Sequence, residues 1–308
     1  MAKRPTYEGR EFTDPDDLVV DQGLQFDLAT LLHRRGVLQL FGVGVGTITL
    51  AACAPAAIGD TPGASGSTAT SGVIAPATGT LTEIPEETAG PYPGDGSNGA
   101  DVLEQSGVVR SDIRSSFGTS TTTAEGVPMT LELTILDMAS DNAPLAGSAV
   151  YVWHCTRDGG YSMYTDALTT ENYLRGVQIA DADGKVRFTS IFPGCYSGRW
   201  PHIHFEVYPD EASITDTANK LATSQVALPK DVCDEVYAQD GYANSTNNLA
   251  GITLASDNVF GDDEGAHQLG TVTGDVAGGF AVALTVPIDR ATEPGSGPDM
   301  GGGGGPRR

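Results

Sequence analysis

The chain has 308 residues, of which 39% are hydrophobic and 7% aromatic, and it contains 40 glycines and 18 prolines. This composition predicts one β-rich domain with long loops rather than two packed domains. The formal net charge of −23 argues against a nucleic-acid-binding protein, because such proteins present a basic surface. The acidity indicates instead a soluble, self-repelling surface.

The N-terminal residues have the features of an export signal. Arg34 and Arg35 precede an apolar stretch over residues 37–50, a pattern that resembles a twin-arginine signal. The stretch is interrupted by glycine and is shorter than the roughly 20 residues that a membrane-spanning helix needs, so we do not expect it to remain as an anchor. The sequence over 50–53 resembles a bacterial lipobox, which predicts a lipid-modified Cys53 as the mature N-terminus.

A flexible tether is predicted after this cysteine, because residues 54–80 are rich in Gly, Ser, Thr, Ala and Pro and lack hydrophobic periodicity. The predicted organisation is a signal peptide over 1–52, a tether over 53–80, a folded domain over 81–290 and a disordered Gly-rich tail over 291–308. We therefore expect the domain to be exported by the twin-arginine route. It would then be lipid-anchored at the outer face of a bacterial cell membrane or be secreted.

The folded domain begins with a turn-rich loop over residues 86–96 (loop 86–96), and strands follow it. Strands are predicted where β-branched or aromatic residues alternate with polar ones between Gly, Asp and Asn turns. These segments are 129–136, 148–154, 185–191, 201–208 and 280–287. Short helices are predicted at 218–227 and 231–238. The pattern predicts an all-β, antiparallel sandwich of the immunoglobulin or prealbumin type, with long loops.

Three cysteines, Cys155, Cys195 and Cys233, remain in the exported part. At most one disulfide forms within the chain, and an oxidising compartment makes a bridge plausible. The sequence leaves its connectivity open. A three-cysteine zinc site is a weaker interpretation, because spacings of 40 and 38 residues do not match a zinc-ribbon pattern.

One predicted strand, directly after a Gly-rich turn, carries His202, His204 and Glu206 on one face and apolar side chains on the other. Residues two apart on a strand lie roughly 6.5–7 Å apart, and from there two neutral imidazoles can bind one metal ion. The chain has only five histidines, which favours a metal site over two histidines that share a face by chance. A cupin-like site is excluded, because it needs a glutamate where this chain has Tyr208 and Pro209.

Two tyrosines complete a recognisable pattern. Tyr161 and Tyr196 each follow a glycine at the end of a predicted strand or turn, and Tyr196 lies six residues before His202. Loop 86–96 contains the sequence Thr-Ala-Gly-Pro-Tyr, which ends at Tyr92. Together these motifs resemble the intradiol ring-cleaving dioxygenases, especially the protocatechuate 3,4-dioxygenase branch. The resemblance covers nearly all of the predicted folded domain.

In that family, two tyrosinates and two histidines hold a mononuclear ferric ion. By motif position, the resemblance implies that the iron ligands of this chain are Tyr161, Tyr196, His202 and His204. Phenolates are hard anionic donors, and they favour Fe(III) over Fe(II). For the first ligand, Tyr164 and Tyr173 are the alternatives, but Tyr161 alone follows the family's spacing from Trp153.

The resemblance also implies three pocket residues. Arg199 matches a family position that stabilises negative charge on the substrate, Gln225 matches another pocket position, and Tyr92 is a candidate for lining the substrate pocket. The alternative for Arg199 is a solvated turn residue. His154 is expected to be structural, because on an alternating strand it points away from Trp153.

The implied function is a non-haem iron(III) enzyme that cleaves catechol-type rings with O₂ to cis,cis-muconate-type products, as a monomer or a homo-oligomer. The bulky Trp200 stands where the family has an apolar stretch, either near the site or against the core, which leaves the preferred substrate open. The alternative function is a surface-tethered sandwich domain that binds ligands without turnover.

Overall fold

The computed structural model describes residues 81–292 and, near the N-terminus, the two short antiparallel strands Thr6–Tyr7 (β1) and Arg10–Glu11 (β2). The predicted export signal, Cys53, the tether and all but the start of the predicted tail lie outside the described residues. Within the described residues, no helix combines the length and apolar character needed to cross a bilayer.

Strands dominate the part of the chain that the structure describes. After β2 they are β3 (Pro128–Asp137), β4 (Ala143–Pro144), β5 (Ala149–Trp153), β6 (Arg175–Ile179), β7 (Lys185–Ile191), β8 (His202–Tyr208), β9 (Ala222–Ala227), β10 (Thr271–Asp275) and β11 (Gly279–Ile288). The α-helices are α1 (Lys230–Tyr237) and α2 (Ala243–Ala250). Single 3₁₀ turns lie at Met138–Ser140, Asp166–Leu168, Glu211–Ser213, Thr217–Asn219, Leu254–Ser256 and Phe260–Asp262.

The larger strands form two sheets. In the first sheet β3 is central, with β11 parallel on one side and with β7 and the short β4 antiparallel to it; β10 pairs with the outer edge of β11. In the second sheet the order is β6-β5-β8-β9, and every pair is antiparallel. The two sheets form the predicted β-sandwich.

One apolar core joins the two sheets. Leu131, Leu133 and Ile135 point inward from β3, and they belong to the same buried cluster as Ile203 and Phe205 of β8. Removing a side chain of this size from water stabilises a fold by roughly 1.5–3 kcal/mol. The alternating pattern on which the strands were predicted is therefore the pattern that packs the sandwich.

The second sheet is covered on both faces, and this burial explains why β8 is buried along its whole length. One face packs on the first sheet. The other carries Tyr151, Trp153 and Tyr208, which form a second buried cluster with Val102 and Leu103 from the long segment before β3. His202, His204 and Glu206 lie on this second face, as predicted.

The elements differ from the predicted ones at several places. β7 has its predicted bounds and α1 confirms the helix at 231–238, but the helix predicted at 218–227 is wrong. That segment is a 3₁₀ turn followed by β9, because pairing with β8 buries all six β9 residues and outweighs their weak helical propensity. The strands β6 and β10 and the helix α2 were not predicted.

Candidate metal centre

The site is built on one row of residues that crosses the second sheet. Gln225 of β9 is paired with His204 of β8, His204 with Trp153 of β5, and Trp153 with Arg175 of β6. Cross-strand partners on one face are direct neighbours. The row therefore brings together an amide, an imidazole, an indole and a guanidinium from four strands.

The two histidines present their Nε2 atoms to each other. His202 Nδ1 donates to the Trp200 carbonyl, so the Nε2 of its neutral ring carries a lone pair. This Nε2 lies 3.0 Å from His204 Nε2, and the His204 ring stacks on Trp153 with 4.8 Å between centroids. Burial, followed by the charge of Arg199, lowers the pKa of His202 to about 3, and burial lowers that of His204 well below its usual value. Both rings are therefore neutral at neutral pH, the form that binds metals.

Two tyrosine hydroxyls approach the same point. Tyr196 Oη lies 3.3 Å from His202 Nε2, and the Tyr161 ring lies 5.8 Å from the Tyr196 ring and 6.4 Å from the His204 ring. Tyr161 is 2% exposed, and its Oη makes no hydrogen bond to the described residues. A buried hydroxyl without a partner is costly.

The donor set fits a ferric ion. Burial raises the pKa of Tyr196 to about 12, and burial together with the nearby Tyr196 raises that of Tyr161 well above its usual value, so neither phenol ionises at neutral pH without a cation. A bound cation displaces such protons and satisfies the unpartnered Tyr161 oxygen. Two neutral imidazoles and two phenolates suit Fe(III).

The loops that carry the tyrosines are held against each other. Gly159 has a φ of +89°, and a Cβ there would come within 3.1 Å of Tyr196 Cβ, so glycine permits the close approach. Ser245 of α2 lies between the loops, because its Oγ accepts from the Cys195 backbone N–H at 2.9 Å and donates to the Arg157 carbonyl at 3.2 Å. The helix that the sequence did not predict therefore positions Tyr196.

Arg199 is buried rather than solvated, with 7% of its surface exposed. Its Nη2 donates to Gln225 Oε1 at 2.7 Å, and its Nε donates to Asp257 Oδ2 at 3.0 Å. Gln225 Nε2 in turn donates to the Thr88 carbonyl at 2.9 Å. The two predicted pocket residues are therefore in direct contact, and they join loop 86–96 to the segment around Asp257.

Loop 86–96 covers the site. The centroid of the Tyr92 ring lies 4.8 Å from that of the Tyr161 ring. Arg175 makes five hydrogen bonds, and two of them hold the loop: Nη2 to the Tyr92 carbonyl at 2.9 Å and Nη1 to the Pro93 carbonyl at 2.7 Å. Two of the remaining bonds reach Ser162, beside Tyr161. One buried guanidinium therefore ties Tyr92 to the Tyr161 loop.

The alternative tyrosines serve other purposes. Tyr164 Oη donates to Asn98 Oδ1 at 2.7 Å and accepts from the Gly94 N–H at 2.8 Å, so it braces loop 86–96. Tyr173 packs in a separate apolar cluster.

His154 Nδ1 donates to the Cys155 carbonyl, and its Nε2 accepts from Ser190 Oγ at 2.7 Å. Its role is structural, as the sequence predicts.

The Trp200 ring and the three cysteines contribute no group to the donor cluster. The Trp200 ring belongs to the core between the sheets, and its Nε1 donates to the Leu228 carbonyl at 2.9 Å. Trp200 therefore does not narrow the site. Cys155, Cys195 and Cys233 are buried and unpaired.

Residues 110–204, which include both tyrosines, Arg199 and both histidines, match the family model described as Dioxygenase. The matched segment is therefore similar to proteins of that dioxygenase family. Two curated proteins that resemble this segment come from Pseudomonas. A chlorocatechol 1,2-dioxygenase from strain P51 is 35% identical over 88 residues, or 23% of this chain and 35% of the relative. A catechol 1,2-dioxygenase from strain EST1001 is 38% identical over 72 residues, or 23% of each chain. This chain thus spans about a third of the first relative's length and less of the second.

The fold of the intradiol dioxygenases extends beyond that segment. A solved intradiol ring-cleavage dioxygenase from Tetranychus urticae superposes with a TM-score of 0.54 at 21% identity. The superposition covers 69% of this chain and 97% of that chain. This likeness concerns the fold alone, and it confirms the predicted sandwich.

Two residues of the site were missed by sequence reasoning. Arg175 is the first residue of β6, a short strand that was not predicted, so its burial had no signal in the sequence. Asp257 follows a single 3₁₀ turn and belongs to no motif. Its link to Arg199 spans 58 positions, and no local pattern predicts it.

Proposed function

We propose that this protein is an iron(III)-dependent intradiol dioxygenase that cleaves catechol-type rings. The observation that carries the proposal is the convergence of two neutral imidazole nitrogens with the buried phenol of Tyr161 and the partly buried phenol of Tyr196, beside the buried Arg199. The names of the curated relatives support a catechol-type substrate. The resemblance to the protocatechuate branch stays a prediction.

The ligands of the ferric ion would be Tyr161, Tyr196, His202 and His204. When bound, the ion would supply Lewis-acid chemistry to a catechol-type substrate. His202 is fixed for this role by its bond to the Trp200 carbonyl, and His204 by its stack on Trp153. The two histidines lie on the buried strand β8, and this burial keeps water away from the reacting groups.

Arg199 and Tyr92 orient the substrate. Arg199 uses Nε and Nη2 for Asp257 and Gln225, and Nη1 has no hydrogen-bond partner among the described residues. That nitrogen is the N–H donor that can stabilise negative charge developing on the substrate. The Tyr92 ring offers one wall for the catechol ring.

The reaction that this site would catalyse needs only the catechol and O₂. The bond between the two hydroxylated carbons breaks, each of these carbons gains one oxygen atom, and the product is a cis,cis-muconate. The ring carbons supply the four electrons that reduce O₂. We propose that the enzyme works as a monomer or homo-oligomer outside the cytoplasm, where the lipid at Cys53 would hold it.

Oxygen uptake by the iron-loaded protein tests the proposal. We expect one O₂ consumed per substrate, muconate-type products and a red-brown protein, for at least one of catechol, protocatechuate, hydroxyquinol and a caffeate-like phenol. A colourless protein that is active, or a coloured protein that consumes no oxygen with any of these phenols, contradicts the proposal. The second result favours the binding module without turnover.

A further inference from the structure

Asp257 is the most heavily bonded carboxylate near the site. It is buried, and its Oδ2 accepts from Arg199 Nε at 3.0 Å and from the Trp200 backbone N–H at 2.6 Å. Its Oδ1 accepts from the backbone N–H groups of Val259 and Phe260 at 2.8 and 3.0 Å. With a fifth, longer bond from Arg199 Nη2 to Oδ1 at 3.5 Å, the carboxylate cannot rotate freely, and its position is fixed by the groups around it.

This fixed carboxylate sets the orientation of Arg199. The guanidinium is planar, so a bond from Nε to Asp257 and a bond from Nη2 to Gln225 determine where Nη1 points. Phe260, which follows Asp257 closely in the chain, lies 6.0 Å beneath the guanidinium carbon and 6.4 Å from the His202 ring. The segment around Asp257 thus contacts both the arginine and a metal-ligand histidine.

Charge also links these groups. Burial opposes the positive charge of Arg199, but Tyr196 and Asp257 together raise its pKa above the usual value. An isolated buried guanidinium is costly, whereas one paired with a hydrogen-bonded carboxylate is retained as a cation. Asp257 therefore both orients the Arg199 guanidinium and balances its positive charge.

We propose that Asp257 is a positioning residue of the ring-cleavage site, which holds the Arg199 guanidinium so that Nη1 faces the substrate. The inference rests on the proposed function and deepens it. Asp257 lies outside the segment over 110–204 that matches the dioxygenase family model, and it acts through Arg199 rather than on the substrate.

A double-mutant cycle with D257N and R199Q tests this inference on the iron-loaded protein. D257N removes the charge and keeps the volume, and we expect kcat with catechol to fall about 10- to 100-fold. We expect KM to change less than about 3-fold and the visible band to remain, because the metal ligands are untouched. In the R199Q background, D257N should lower kcat by no more than about 3-fold, because residues that act as one unit are not additive.

Asp137 supplies the matched control. It is also a buried aspartate, it also accepts a backbone N–H, and it pairs with Arg290 at 2.6 Å, but it lies in the first sheet. D137N should leave kcat and KM with catechol within about 2-fold of the wild type, which separates positioning from the general effect of losing the charge of a buried, arginine-paired aspartate.

A second variant covers the case in which D257N does not fold. R199K keeps the positive charge but cannot make the two-point contact, so we expect kcat to fall at least about 10-fold with the visible band retained. A wild-type kcat in R199K, or additive losses of kcat in the double-mutant cycle, overturns the positioning role of Asp257. Either result leaves the proposed function standing. A wild-type protein that consumes no oxygen with any catechol overturns the proposed function, and the inference with it.

Discussion

The assignment of the metal ligands depends most on the Tyr161 hydroxyl. It is buried and has no hydrogen-bond partner among the described residues, whereas Tyr164 is bonded to loop 86–96. The family resemblance pointed to both tyrosines and both histidines, and the structure brings these four side chains together. What the sequence could not supply is the packing that leaves one phenol unpartnered.

Tyr161→Phe and Tyr196→Phe each remove one phenol oxygen and preserve ring volume, so both variants should fold. We expect each to lose part of the visible band and most of the oxygen uptake, at least about 100-fold. Tyr173→Phe is the control, since its ring packs in a separate cluster, and it should change neither. If Tyr164→Phe bleaches the protein and Tyr161→Phe does not, the first ligand is misassigned and the reaction class survives.

His154 gives the structure a pH dependence that is separate from the metal ligands. Burial lowers its pKa to about 4, whereas the unfolded chain titrates near the ordinary value of about 6.5. The unfolded state therefore takes up a proton first as the pH falls, and the free energy of unfolding decreases between about pH 6.5 and 4. The loss is on the order of 3 kcal/mol, since one pKa unit corresponds to about 1.4 kcal/mol.

His154→Gln should flatten this part of the stability curve. Urea unfolding of the iron-loaded protein at several pH values measures the effect, and His267→Gln, which changes an exposed histidine, is the matched control. A wild-type slope in His154→Gln would mean that the acid sensitivity arises from other groups.

At the scale of elements, Arg175 connects β6, β5 and loop 86–96. All five of its hydrogen bonds go to backbone carbonyls or neutral hydroxyls. Lysine at this position keeps the charge but lacks the several N–H donors of the planar guanidinium. Several buried acceptors then lose their donor, and each loss costs about 1–3 kcal/mol of the free energy of unfolding.

Arg175→Lys should therefore lower the free energy of unfolding by at least about 3 kcal/mol and increase amide exchange in loop 86–96. Chemical unfolding and hydrogen exchange measure the two effects. Arg187→Lys is the control, because Arg187 is exposed and bridges only carboxylates, and it should cost less than about 1 kcal/mol. Equal losses in both variants would contradict the bridging role of Arg175.

An element can be predicted from the sequence when its own residues determine its conformation. The bounds of β7 were read from seven residues that alternate between flanking turns, and this signal needs no partner. The β9 segment reads as a weak helix alone, and it becomes a strand only because β8 lies beside it. The short helix α2 likewise depends on tertiary contacts, which are hydrogen bonds to the two loops that carry the tyrosines.

At the scale of the whole molecule, the N-terminal predictions concern the location of the protein. Radiolabelled fatty acid should enter the wild-type protein at Cys53, and Cys53→Ala should abolish the label. Replacing Arg34 and Arg35 with lysine should leave folded, coloured protein in the cytoplasm. Equal labelling of Cys53→Ala would contradict the lipid anchor, and Cys233→Ala, which changes a buried cysteine of the folded part, serves as the matched control.

The parallel pair between β3 and β11 has a consequence for synthesis. Its partners lie about 150 positions apart, from Phe280 with Met129 to Ile288 with Asp137, and β3 is the central strand of its sheet. One edge of β3 therefore stays open on the ribosome until nearly the whole chain has emerged. An open apolar strand edge recruits other chains, so a nascent polypeptide of this design depends on a chaperone until its last strand arrives.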